Sequence, residues 1–180
     1  MFASLLTLFL FALALPAHAE TLQWAGGGKT GGYLGVLHHG IRGVSKNGDT
    51  VWMTGDYNRY VSRYVALDWT IGRDEPGQIK MDGYGSLCLD AGDKPKAGKS
   101  LQVWECSSSR AAAQTWVFAE NQLRLGDTQL CIEVQDGENT SGEAHEGNIR
   151  LAECRSSRFG QWWRLKDPSR SFTVQGPLWV

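Results

Sequence analysis

Three tryptophans, Trp69, Trp116 and Trp163, follow one another at a constant interval of 47 residues. A fixed period marks one supersecondary unit built several times, and it limits the chain to architectures that repeat. Two of the three close a Gln-x-Trp triplet, Gln114-Thr115-Trp116 and Gln161-Trp162-Trp163. Ahead of each triplet the same order recurs. The second unit carries Leu87-Cys88-Leu89-Asp90 and then Leu101-Gln102-Val103-Trp104-Glu105-Cys106. The third carries Leu130-Cys131-Ile132-Glu133 and then Ile149-Arg150-Leu151-Ala152-Glu153-Cys154. The additional residues of the third unit fall within Gly137 to Gly147, where a surface loop absorbs an insertion at little cost.

The first unit is degenerate. Val51-Trp52 matches Val103-Trp104, and the same count back from each tryptophan pairs Val36 with Cys88 and puts His38 at the position of Asp90. Unit one has no cysteine, and no Gln precedes Trp69. The boundaries fall at about residues 21–74, 75–120 and 121–180.

The units read as β-structure. In Leu101 to Cys106, Leu101 and Val103 point one way while Gln102, Trp104 and Cys106 point the other. In Leu87 to Asp90 the two leucines share a face, and Cys88 and Asp90 share the opposite one. Asn47-Gly48 predicts a two-residue hairpin turn between Val44 and Val51. Twenty-two glycines favour a turn-rich chain. Helical periodicity is weak, with one short turn expected at Ala111-Ala112-Ala113. A single unit of this size cannot bury its own apolar face, whereas three closing around an axis can, so an all-β pseudo-threefold barrel is expected.

Residues 1–19 read as a secretory signal peptide: an apolar run from Phe2 to Leu15, then Ala17-His18-Ala19 before cleavage at Glu20. No Lys or Arg precedes the run, which departs from the usual pattern. It is shorter than the ~20 residues of a membrane span. Residues 20–180 then form one domain, secreted and extracellular. A net charge of −1 gives no polybasic surface for nucleic acid or anionic membrane. Four cysteines behind a leader are expected to form disulfides, and four allow three connectivities. The repeat puts Cys88 and Cys106 in one unit and Cys131 and Cys154 in the next. Neither pair has zinc-finger spacing, so no metal is expected. Asn139-Thr140-Ser141 is an N-glycosylation acceptor in a eukaryotic host.

Cys-Leu-Asp, Leu-Gln-Val-Trp-Glu-Cys and Gln-x-Trp, in that order, resemble the ricin B-type lectin family. Unit two matches well, unit three partly and unit one poorly. The resemblance implies a β-trefoil fold and a carbohydrate-binding protein for glycans or glycoproteins, usually of galactose type, with up to one shallow site per unit. It implies the pairs Cys88–Cys106 and Cys131–Cys154, each contributing about 3 kcal/mol in the chain-entropy model. It assigns sugar contacts to Asp90, Gln102 and Trp104. Ala113 stands where the family has an Asn, which removes one polar contact. In unit three the matching residues are Glu133, Arg150 and Ala152, and without an aromatic no site of the family kind is expected there. Glu133 and Arg150 are expected to form a surface ion pair, the alternative being a site of changed specificity.

The parity of the strands leads to the same site. Cys88 and Asp90 share one face, Gln102, Trp104 and Cys106 another, and a Cys88–Cys106 bond would hold the two faces within about 7 Å. Asp90, Gln102 and Trp104 are then expected on one outward-facing patch. An ionised carboxylate accepts from two hydroxyls, an amide donates and accepts, and an indole offers a flat face to sugar C–H groups. Trp69, Trp116 and Trp163 are instead expected in the core, with Gln114 and Gln161 as structural hydrogen-bonding groups.

Catalytic patterns are absent. Gly26-Gly27-Gly28-Lys29-Thr30 lacks the first glycine of a phosphate loop, where Gln23 stands. His38-His39 points to opposite faces of a strand, and His145-Glu146 lacks a second histidine. No Gly-x-Ser-x-Gly elbow occurs. The expectation is a binding protein, not an enzyme, with no cofactor. The alternative is a trefoil that has lost sugar binding and works through protein contacts, as a toxin's delivery subunit or a hydrolase inhibitor.

Overall fold

The computed structural model describes residues 19–25, 32–37, 45–54, 65–66, 68–83, 86–135 and 147–166. Most of the expected leader, the Gly26 to Thr30 stretch, His38, His39, Asn139 and His145 lie outside them.

The described residues hold fourteen short strands. Unit one holds β1 (Ala19–Trp24), β2 (Tyr33–Leu37), β3 (Val51–Thr54), β4 (Val65–Ala66) and β5 (Asp68–Thr70). Unit two holds β6 (Gly77–Gln78), β7 (Lys80–Met81), β8 (Leu87–Asp90), β9 (Gln102–Glu105) and β10 (Thr115–Ala119). Unit three holds β11 (Gln122–Leu125), β12 (Leu130–Val134), β13 (Gly147–Glu153) and β14 (Trp163–Lys166). A short α-helix, Ala111–Gln114, lies where the alanine run predicts a turn.

All three period-setting tryptophans are buried, with relative exposures of 0 to 1%. Each spends its indole N–H in the same way. Trp69 donates to the Leu34 carbonyl at 3.0 Å, Trp116 to that of Leu89 at 3.0 Å, and Trp163 to that of Ile132 at 3.2 Å. A buried N–H needs such a partner, so the bond fixes which residues correspond between units. Trp24 joins them in the core and donates to the Phe159 carbonyl at 2.8 Å.

That correspondence corrects the register expected for unit one. Leu34 is the counterpart of Leu89 and Ile132, so Gly35, and not His38, stands where Asp90 and Glu133 stand. Strand pairing agrees: Gly35 faces Trp52 as Asp90 faces Gln102 and Glu133 faces Arg150. Trp52 is therefore the counterpart of Gln102, and Thr54, opposite Tyr33, is the counterpart of Trp104 and Ala152. Trp52 lies two residues from the position it was matched to, and a two-residue slip keeps the side chain on the same face. Alternation along β3 alone is blind to it. On β2 the offset is three residues: Tyr33 faces Thr54 as Cys88 faces Trp104, so Val36 belongs to the row of Leu34 and not to that of Cys88.

The units also interlock in a ring. Thr50 of unit one pairs with Gln102 of unit two, Ser100 of unit two with Arg150 of unit three, and Asn148 of unit three with Trp52 of unit one. Backbone bonds repeat across two of these joints: Gly48 N–H to Val103 O at 2.9 Å, and Gly98 N–H to Leu151 O at 2.8 Å. Each unit thus holds the outer strand of the next. A turn forms at Asn47-Gly48, with Asp49 N–H donating to Lys46 O at 3.1 Å and Gly48 at φ +90, but Ser45 and Lys46 before it lie in no strand and β3 pairs with β2 and β13, so it is not the hairpin expected. It packs on β9, where Asn47 Oδ1 accepts from Glu105 N–H at 2.7 Å. Val44, its expected flank, lies outside the described residues.

Both disulfides join the expected cysteines, Cys88–Cys106 and Cys131–Cys154, with Cα atoms 5.0 and 4.9 Å apart. No helix among the described residues is long and apolar enough to cross a membrane. The architecture is a β-trefoil, the fold that the family resemblance implied and a form of the pseudo-threefold barrel expected from the repeat.

Trp116→Phe should lower the free energy of urea unfolding by about 2–4 kcal/mol, because it removes both core volume and the indole N–H that donates to the buried Leu89 carbonyl. Trp162→Phe, at a side chain 36% exposed, should change it by no more than about 0.5 kcal/mol.

Candidate functional site

Unit two brings Asp90, Gln102 and Trp104 together, as the parity of β8 and β9 requires. Asp90 ends β8 and faces Gln102 at the start of β9. Two further side chains come from the turn after β9. Ser107 caps this turn by accepting from Ser109 N–H at 3.2 Å, and the turn ends at Arg110. The helix that follows ends at Gln114.

These five residues form a closed cluster. Asp90 Oδ1 accepts from Gly92 N–H at 2.7 Å, Gln102 Nε2 at 3.0 Å and Arg110 Nη2 at 3.0 Å. Its Oδ2 accepts from Arg110 Nε at 2.8 Å and Gln114 Nε2 at 3.0 Å. A carboxylate offers about four lone-pair positions, so this one is full. Asp90 is 0% exposed. The expectation that it faces outward is therefore corrected: parity tells which side of a strand a residue lies on, and the Arg110–Gln114 turn covers that side. Burial pushes the Asp90 carboxyl up, but the bonds from Arg110, Gln102, Gly92 and Gln114 outweigh it and hold its pKa below the usual value.

Arg110 also covers the indole. Its guanidinium carbon lies 4.8 Å from the centre of the Trp104 ring, a cation–π contact. A further bond runs from Nη1 to Asp93 Oδ1 at 3.1 Å. The Gly48 turn packs on the same ring, for a side chain at Gly48 would meet Trp104 Cζ3 at 3.8 Å. Trp104 is half-buried as a result.

Unit three repeats the cluster with altered residues. Glu133 Oε1 accepts from Arg150 Nε at 3.2 Å and Nη2 at 2.8 Å; its Oε2 accepts from Arg158 Nη1 and Gln161 Nε2, both at 3.0 Å. The Glu133–Arg150 pair expected on the surface is instead anchored on a carboxylate only 3% exposed. The reason is again the turn before Gln-x-Trp, which brings Arg158 and Gln161 over the acid. Burial raises the Glu133 carboxyl and the bonds from Arg150, Arg158 and Gln161 lower it, with a net lowering.

The Gln-x-Trp glutamines are structural in both units. Gln114 Oε1 accepts from Ser107 N–H at 2.9 Å and Gln78 Nε2 at 3.0 Å, while its Nε2 also donates to Glu105 O at 3.0 Å. Gln161 copies this with Arg155 N–H at 2.8 Å, Gln122 Nε2 at 3.0 Å and Glu153 O at 2.8 Å. Arg110 and Arg158 were not singled out from the sequence. The available signal was an arginine shortly before the Gln of each triplet. Unit one has Gly35 at the acid position and so has no carboxylate to build on. Among the described residues no cluster of His, Cys, Asp or Glu is able to hold a metal.

Three equivalent units around one core, two of them with a buried acid held by a Gln-x-Trp amide, define a β-trefoil of lectin type. The model of the ricin-type beta-trefoil lectin domain matches residues 73–175, more than half of the chain. The chain belongs to that family, which supports a carbohydrate-binding role. No curated protein matches it significantly. Among solved structures it is similar to the designed threefold-symmetric protein ThreeFoil, with a TM-score of 0.60 at 15% identity, covering 83% of this chain and 98% of that one. The C-half of the earthworm R-type lectin in complex with GalNAc gives a TM-score of 0.56 at 11% identity, with the same coverage of 83% and 98%. A mosquitocidal holotoxin gives 0.60 at 13% identity, where the match covers 86% of this chain but 18% of the toxin. At these identities the likeness shows the fold.

Depressed carboxyls stabilise a fold above their unfolded pKa, and that stability is lost as pH falls through the folded value. For Asp90 and Glu133 the urea midpoint should therefore hold at neutral pH and fall below about pH 4. Asp68 acts in the opposite sense, since burial and then Asp82 raise its pKa. Asp68→Asn should steepen the acid loss, and Asp90→Asn should flatten it, in midpoints measured across the acid range.

Proposed function

We propose that this chain is a secreted, non-catalytic lectin that takes a galactose-type sugar at unit two, on Asp90, Gln102 and Trp104. The observation that carries this reading is the position of Arg110. Its two bonds to Asp90 occupy one lone pair on each carboxylate oxygen, and its guanidinium carbon lies over the Trp104 ring. A sugar with vicinal hydroxyls and an apolar C–H face needs the same two acceptor positions and the same aromatic face. Binding is then an exchange, in which the sugar replaces the guanidinium and Gln102 and Gln114 keep the carboxylate oriented. The two disulfides suit an extracellular setting. The earthworm lectin that shares the fold was solved with GalNAc.

Such an exchange is weak, because the ligand displaces an ion pair with one fully buried partner. A millimolar site corresponds to about −4 kcal/mol, so useful avidity needs clustered ligands or several copies of the chain. Galactose titration by calorimetry tests the reading. Trp104→Ala should abolish binding, and Arg110→Ala should tighten it about tenfold by removing the competitor. Binding that is unchanged by Trp104→Ala would remove unit two as the site.

A second reading has an observation in its favour. Asp90 is saturated, Ala113 supplies no polar contact, and Phe159 and Trp162 form an exposed edge-to-face pair with ring centres 4.7 Å apart. A trefoil working through protein contacts, as a delivery subunit or an inhibitor, would bind no galactose even as the Arg110→Ala variant. It would retain a protein partner in the presence of competing galactose.

A further inference from the structure

Unit three contains an open cleft of about 240 Å³ at the position equivalent to the unit-two cluster. Its walls include Glu133, Arg150, Ala152, Arg155 and Arg158, with Gly98 from the neighbouring unit. The opening has a sequence cause. Ala152 faces Cys131 where Trp104 faces Cys88, so the indole that fills this space in unit two is absent. A second change alters the chemistry. Arg150 replaces Gln102, so one buried carboxylate now meets two guanidinium groups.

Four hydrogen bonds fill the lone pairs of Glu133, and vicinal hydroxyl groups would have to displace two guanidinium groups, Arg150 and Arg158, where Asp90 has one to give up. What the cleft retains is donor capacity. The bonds of Arg150 to Glu133 use two of its five N–H groups, and its side chain is 34% exposed at the cleft. Arg155 stands at the wall with 56% of its side chain exposed, and its side chain makes a 3.3 Å contact to the still more open Glu153, at 70%. Exposed pairs of that kind contribute little and exchange readily. Three arginines against two glutamates leave the cleft net positive. Planar guanidinium forks match carboxylate and sulfate oxygens in paired bonds.

We infer that unit three is a second binding site of opposite polarity, one that takes the carboxylate or sulfate group of an acidic saccharide through Arg150 and Arg155. Ala152 leaves room for the ring that carries the group. The inference rests on the carbohydrate-binding reading of the family but not on the unit-two site. Neither Arg150 nor Arg155 belongs to the Asp90 cluster.

The test titrates the full chain with glucuronic acid, galactose 6-sulfate, neutral galactose and inorganic sulfate, at low and high salt. The two acidic sugars distinguish carboxylate from sulfate as the recognised group. At least one should bind more tightly than galactose, and high salt should weaken it. Arg155→Gln, at an exposed residue with no buried partner, should weaken acidic-sugar binding about tenfold. Arg150→Gln, which installs the unit-two residue, should do the same while thermal melting confirms the fold. Galactose binding should be unchanged in both variants. If galactose fails to bind but an acidic sugar binds through Arg150 and Arg155, the unit-two reading falls and this one stands. Three results would overturn it: no preference for acidic over neutral sugar, binding insensitive to both variants, or inorganic sulfate binding as tightly as the sugars.

Discussion

One triplet grips one strand twice, and both the core and the site follow from that grip. In unit two the Trp116 indole holds the Leu89 carbonyl while the Gln114 amide holds the next side chain, Asp90. In unit three Trp163 holds Ile132 O and Gln161 holds Glu133. Successive residues of a strand face opposite ways. The tryptophan therefore works from the core side and the glutamine from the outer side, the glutamine ending the helical turn just before the strand that carries the tryptophan. Neither bond can shift without the other, so the acid's position is as fixed as the core itself. Unit one keeps the first half, Trp69 to Leu34 O, but has Gly35 where the acid would be.

Burying a carboxylate requires both donors and a positive charge. The glutamine supplies a donor, and an arginine from the preceding turn supplies the charge, Arg110 in unit two and Arg158 in unit three. The acid is in this sense part of the scaffold before it is part of any site. What distinguishes the units is the outer row of the next strand. Gln102 and Trp104 in unit two become Arg150 and Ala152 in unit three, and Trp52 and Thr54 in unit one. One frame thus carries a covered aromatic patch, an open cationic cleft and a face without an acid.

The fold was legible because its determinants are periodic. Trp69, Trp116 and Trp163 repeat at a constant interval, and their burial follows from that recurrence. Residue types also marked the convergence of Asp90, Gln102 and Trp104, since strand parity and a disulfide suffice to bring them together. Two things were hidden. The register of unit one was set by a carbonyl, Leu34 O, which has no sequence signature, while the conspicuous Trp52 suggested a match two residues away. The covering of Asp90 depended on a turn, Ser108 to Arg110, that folds back across the strand pair. Local alternation carries no information about such a return, and only the arginine before each Gln-x-Trp hinted at it.

On the proposed exchange, Arg110 and galactose compete for the same carboxylate and the same ring. Nitrogen-15 NMR of the side-chain N–H groups during a galactose titration reads both partners at once. The Arg110 Nε–H and Trp104 Nε1–H signals should move together and saturate at one concentration, while Arg158 Nε–H stays in place. Saturable binding that leaves the Arg110 signal unmoved would contradict the exchange.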